Sequence, residues 1–169
     1  MMHTWSKMRC KLEKEYLAES LKGHITYFAT SYSKCPDHEG RAAILLDGKE
    51  IIEGSYREQW SSGKIAQFPR DEKYADRLRY EFPYIDETAV KLGQFDQRCF
   101  YSAFGEYDNQ SIEESLESEN LLVRIFAVLD RRVGKRRLVR LYEECSDDDE
   151  ILRMMLRIRI RAEGIDTKE

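Results

Sequence analysis

Apolar residues recur at helical spacing from the start of the chain. Trp5, Met8, Leu12, Tyr16 and Leu17 share one face, while Lys7, Arg9, Lys11 and Lys14 fall mostly elsewhere on the wheel. The spacing predicts an amphipathic helix from about Trp5 to Leu21, with Gly23 placed to end it in a left-handed turn. The period then changes from helix to strand. HITYFATSY is rich in β-branched and aromatic residues, SKCPDHEG supplies Pro, Asp and Gly for a loop, and RAAILL follows as a second strand. Asp47-Gly48 between RAAILL and KEIIEGS is a strong hairpin signal. A three-stranded antiparallel meander with a helix on one face is the expected result, because two strands alone are marginal.

Residues 56–85 carry no clean period. SSGK reads as a loop tip, and DEKYADRLRYEF as a short helix stopped by Pro83. Beyond Asp86 the pattern is helical. DQRCFYSAFGEY gathers Cys99, Phe100, Ala103, Phe104 and Tyr107 on one side. Ser111 with Glu114 makes a capping box. Asn120 suits the N-cap of a helix striped by Leu122, Phe126, Leu129 and Val133, which Gly134 should end, with another helix starting at once. Ser146 and Asp149 repeat the capping pattern before EILRMMLRIRIRAEG. That segment reads as helix despite the alternation of RIRIR, with acids at its positive end and arginines at its negative end. The fold class expected is α+β: an N-terminal helix on a small antiparallel β-meander, followed by a helical C-terminal half. Its parts are residues 1–55, a variable connecting region at 56–94, and a helical half at 95–164 packed on the same core.

Composition narrows the function classes. Apolar residues are 41% and charged residues 36% of 169, and the 10 Tyr and 7 Phe make an aromatic core that argues against disorder. No run approaches the ~20 apolar residues of a membrane span, and the first residues lack a signal-peptide core. Four well-separated cysteines suit reduced thiols in a cytoplasm. Cys10, Cys99 and Cys145 lie in helical stripes, where they read as small buried hydrophobes. The net charge of −4 does not describe a globally electrostatic binder of nucleic acid.

Against that acidic background, Arg131, Arg132, Lys135, Arg136, Arg137 and Arg140 fall within ten residues. The segment just before, Glu106–Glu119, holds six acids and no base. Arg131 and Arg132 are expected in the last turn of one helix, where cations suit the dipole. Lys135, Arg136 and Arg137 are expected in the first turn of the next, where they do not. That second placement calls for acidic partners, inside the protein or outside it. Asp130 is expected to pin Arg131, Arg137 or a backbone N–H, and at least one acid of 113–119 to engage the cluster. The six cations are the candidate binding residues, for an acidic protein surface or for nucleic-acid phosphates.

Catalysis finds less support. There is no P-loop, no G-x-G-x-x-G and no G-x-S-x-G. CPDHE offers Cys35, Asp37, His38 and Glu39 in one loop, but a structural zinc needs a second ligand pair that the chain lacks. The expectation is no metal, no cofactor and no catalytic residue, in a cytoplasmic interaction protein. A hydrolase or metal enzyme at the 35–39 loop stands third.

Four stretches, WSK, SLKGHITYFATSY, HEGRAAILLDGKEI and QSIEESLESENLLVRIFAVLDRRVGKRRL, resemble an uncharacterised family of small bacterial proteins. The resemblance covers both ends of the chain, matches poorly over 56–90, and is most specific at LDRRVGKRRL. It implies a bacterial, soluble, self-contained protein and carries over no activity or site residue.

Overall fold

The N-terminal apolar stripe forms a helix of mixed winding. The structure, a computed structural model, describes residues 4–31, 40–55, 85–93 and 95–166. Helix α1 (Trp5–Cys10) continues as a π-helical stretch, Lys11–Tyr16, which closes with Leu17 N donating to Leu12 O at 3.0 Å. The helix therefore stops about five residues short of the expected Leu21. Leu17 turns extended (φ −57°, ψ 136°) and pairs as an isolated antiparallel bridge with Asp130. A tertiary backbone contact overrides the local period here. Residues Glu19–Leu21 form a 3₁₀ turn, and Gly23 follows at φ 85°.

Strands β1 (Ile25–Ser31), β2 (Gly40–Leu46) and β3 (Lys49–Gly54) make an antiparallel sheet in the order β1-β2-β3. Asp47 at φ 51° and Gly48 at φ 79° form the two-residue hairpin, both central residues left-handed as a type I′ turn requires. Tyr27, Ala29, Ala42, Ile44 and Ile52 point to the core, in a register pairing Tyr27 with Ile44 and Ala29 with Ala42. A bulge between Ile44 and Leu45 interrupts the β2–β3 ladder. Gly54 lets β3 run against Phe95, since a Cβ there would lie 2.6 Å from the Phe95 ring.

The C-terminal half is helical: α2 (Glu87–Lys91), α3 (Gln97–Asp108), α4 (Ile112–Leu116), α5 (Leu121–Leu129), α6 (Lys135–Glu144) and α7 (Glu150–Ala162). The fold is α+β, with the N-terminal helix and meander preceding the helical half. Side-chain caps start four of these helices. Asp86 accepts from Ala89 N, Asp96 from Arg98 N and Cys99 N, and Asn120 from Leu122 N, while Ser111 and Glu114 close the expected capping box.

Sheet and helices meet through aromatic rings. Phe126 stacks edge-on against Phe100 (5.1 Å between centroids) and Tyr27 (5.8 Å), and tilted against Tyr107 (5.6 Å); Trp5 reaches Phe100 and Tyr101 from α1. Helix α5 is enclosed on nearly every side, with Leu121 to Leu129 buried except Arg124. Cys99 is buried and Cys145 half-buried, but Cys10 is exposed, contrary to its expected place in the apolar stripe. Among the described residues no helix is long and apolar enough to cross a membrane.

Candidate functional site

The basic cluster lies at the junction of α5 and α6, and its first part is not helical. Helix α5 ends at Leu129, with Asp130 extended (φ −73°, ψ 139°) as its C-cap. Gly134 (φ −77°, ψ 163°) is not the left-handed end of α5 that the sequence suggested but the N-cap of α6. Arg131 and Arg132 thus sit in the turn between helices, outside the last turn of α5. The turn is extended because its backbone is shared with the N-terminal segment. Ala18 N donates to Leu129 O (3.0 Å) and Arg131 N to Tyr16 O (2.8 Å).

Asp130 is fully buried and lies at the centre of this turn. It accepts from Arg132 N (2.7 Å), Arg132 Nε (3.0 Å) and Arg132 Nη2 (2.7 Å), and from the Tyr107 hydroxyl. A buried carboxylate is tolerable only with such a set of donors. The Asp130 hydrogen bonds hold the Arg132 guanidinium above its ordinary value. Burial, with Asp130 next, pushes the Tyr107 phenol up. Arg132 also stacks over the rings of Tyr16 (5.2 Å) and Tyr107 (5.7 Å). Tyr16 in turn donates to Asp108 (2.5 Å), which pairs with Lys11 Nζ (2.8 Å) and so ties the π-helical stretch to α3.

Arg159 holds the turn from below. It is 3% exposed, and its two Nη groups donate to Leu129 O (3.0 Å), Asp130 O (3.1 Å) and Val133 O (3.2 Å). Its Nε lies 3.0 Å from Glu163 Oε1, which also accepts from Ser20 (2.6 Å). Sequence reading took Arg159 only as a dipole partner at a helix end. Its position with Leu152, Met155, Leu156 and Ile160 on the apolar stripe of α7 is the signal that marks it as buried.

The cluster therefore divides. Arg132 is held by Asp130, Arg137 by Glu113 (2.8 Å) and Lys135 by the Glu163 carbonyl (2.8 Å). The Glu113 contact is the expected acid from 113–119; Asp130 accepts a backbone N–H, as expected, but that of Arg132 in the turn, and Arg132 rather than Arg131 or Arg137 is its side-chain partner. Arg140 reaches Glu144 only at 3.7 Å, with both side chains exposed. Arg131 and Arg136 are exposed and have no side-chain partner among the described residues. Helix α6 begins without a side-chain cap. Arg132, Lys135 and Arg137 thus have partners within the fold, Arg132 and Lys135 while still exposed, and Arg131, Arg136 and Arg140 stand on the surface held loosely or not at all among the described residues.

Among the described residues no cluster of His, Cys, Asp and Glu could hold a metal. The 35–39 loop, with its metal and hydrolase reading, lies outside the described residues, as do the loop and short helix expected within 56–84. The matched span also takes in residues 56–90: the chain belongs to the SF0329 protein family, whose model matches residues 4–160. No curated protein and no solved structure matches the chain.

Proposed function

We propose that this member of the SF0329 protein family is a non-enzymatic interaction protein whose α5–α6 corner holds an acidic surface of a protein partner. The observation carrying this reading is the division of the cluster. Arg131 stands exposed on a turn whose backbone is fixed from two sides, by Leu17 and by Arg159, and Arg136 stands exposed in the first turn of the helix that follows. Charged groups on a preordered backbone lose little entropy on binding. Arginine suits a carboxylate because its planar fork donates two parallel hydrogen bonds. The uncapped start of α6 favours phosphates as the second reading, since its free N–H groups and Lys135 suit an anion.

Arg131→Gln and Arg136→Gln test the proposal, separately and together. Melting temperature and capture of an acidic protein from lysate, identified by mass spectrometry, are measured in parallel. Loss of capture at unchanged melting temperature supports the reading. Unchanged capture in the double variant ends it. Displacement of the captured protein by duplex DNA or RNA favours phosphates. Stoichiometric zinc lost on Cys35→Ser would instead favour a metal site in the 35–39 loop.

A further inference from the structure

A second feature lies apart from the corner, between α4, α5, α6 and α7. A cleft of about 240 Å³ opens where α6 turns into α7. Its floor is apolar: Leu116, Val128, Leu141, Leu152 and Leu156, with Val128 and Leu156 almost fully buried. Its rim carries both signs of charge, from Arg124 on one side and from Asp149 and Glu144 on the other. A dry cavity of ~150 Å³ holds benzene, and drug-sized ligands occupy ~300 Å³ or more. This cleft lies between, at the size of a molecule with one apolar side chain.

The rim charges are poorly satisfied. Arg124 Nε is buried without a hydrogen-bond partner, and Arg124 Nη1 lies 4.0 Å from Asp149 Oδ2, beyond hydrogen-bond reach. Asp149 is the N-cap of α7, yet its carboxylate makes no capping bond. Among the described residues Glu144 reaches only the exposed Arg140, at 3.7 Å. Burial, then Asp149, pushes the Cys145 thiol up, so it stays protonated and serves as wall rather than nucleophile. A guanidinium and a carboxylate standing slightly too far apart above an apolar floor match a zwitterion with an apolar tail.

We propose that this cleft binds a free α-amino acid with a large apolar side chain. Its carboxylate takes the Arg124 donors, its ammonium bridges to Asp149 with Glu144 beside it, and its side chain lies on the leucine floor.

Calorimetric titration of the full chain with L-leucine and L-phenylalanine tests this, with L-alanine, the methyl esters and the N-acetyl derivatives as comparisons. Saturable binding of the free acids is expected at millimolar concentration or below. Alanine, the esters and the N-acetyl forms should each bind about tenfold more weakly or worse, the loss expected for one charge-assisted contact or the apolar tail. Arg124→Gln should weaken binding by a similar factor. Leu152→Trp, filling a partly buried wall, should abolish it, and Lys49→Gln on the β2–β3 hairpin should leave it unchanged. Should Arg124→Gln fail to fold, the ligand series and Leu152→Trp still decide. No saturable binding, equal binding of the N-acetyl or ester forms, or binding that survives a folded Leu152→Trp would each overturn the proposal.

Discussion

Asp130 and Arg159 are opposite charges with almost no access to water, and each is useful because its partners are fixed. Asp130→Ala would leave Tyr107 and the Arg132 guanidinium facing a buried void. Because Arg132 keeps 40% of its side chain exposed, the cost falls on the buried Tyr107 hydroxyl and the turn's N–H, about 1–3 kcal/mol, read as the shift of a urea transition at constant m. Arg159→Met removes three donors from buried carbonyls and should cost ~3–5 kcal/mol. Charge-neutral changes at Arg131 or Arg136 should move stability by no more than ~1 kcal/mol. Glu163 offers a pH test. The Ser20 hydroxyl, then Arg159 and Lys135, hold its carboxyl below the ordinary range. A depressed folded value contributes stability above the unfolded value of ~4.3, lost as pH falls through the folded value. The melting-temperature gap between the native chain and Glu163→Gln should be widest at neutral pH and close below pH ~4. Cys99, whose thiol burial pushes up, should resist alkylation in the folded chain, while exposed Cys10 is modified readily; site-resolved mass spectrometry distinguishes them.

Among the elements, the β2–β3 hairpin is the one most directly written in local chemistry. Asp47-Gly48 needs two left-handed residues, and glycine takes such a conformation without strain. Gly48→Val should destabilise by about 1 kcal/mol or more, and Phe126→Ala, emptying the meeting point of three rings, by ~3–5 kcal/mol; both are measurable by thermal unfolding. The Ser111–Glu114 capping box, the α3 stripe and the helical nature of RIRIR were legible for the same reason, because each depends on residues within one or two turns; the expected repeat of that box at Ser146 and Asp149 did not form, since Asp149 is itself the N-cap of α7 and makes no side-chain cap bond. The end of the first helix was not. Leu17 fits its period, and only a bridge to a residue 113 positions later turns it out of the helix that Tyr16 ends. Gly134 shows the same limit: a glycine between two helices fits the end of one as well as the start of the next, and the extended backbone imposed by Tyr16 and Ala18 decides.

At the scale of the whole molecule, the basic cluster was visible in the sequence as charge, but its division was not. Whether an arginine is structural or free depends on elements far apart in the chain: Glu113 on α4, Tyr107 on α3, Glu163 beyond α7. The cleft at the α6–α7 turn was equally invisible, since its floor combines leucines from three helices and a valine from a fourth, each of which reads as ordinary core. Both candidate surfaces lie on the same α5–α7 assembly, so a partner at one could alter the other. Measuring amino-acid affinity with and without the corner's partner would show coupling as a reciprocal change.

The bridge between Leu17 and Asp130 also bears on how the chain is made. A ribosome delivers Tyr16 and Leu17 long before Arg159, which holds the other side of the same turn. At ~5–20 residues per second, the roughly 140 residues between them take several seconds or longer to synthesise. The β-meander can close locally during that interval and cover part of the first helix, but the Leu17 backbone has no partner until Asp130 has emerged, and their turn has no Arg159 until α7 has. Vectorial synthesis thus leaves the Tyr16–Ala18 backbone as a temporary adhesive edge, open to a chaperone until α5, the turn after it and α7 have been made.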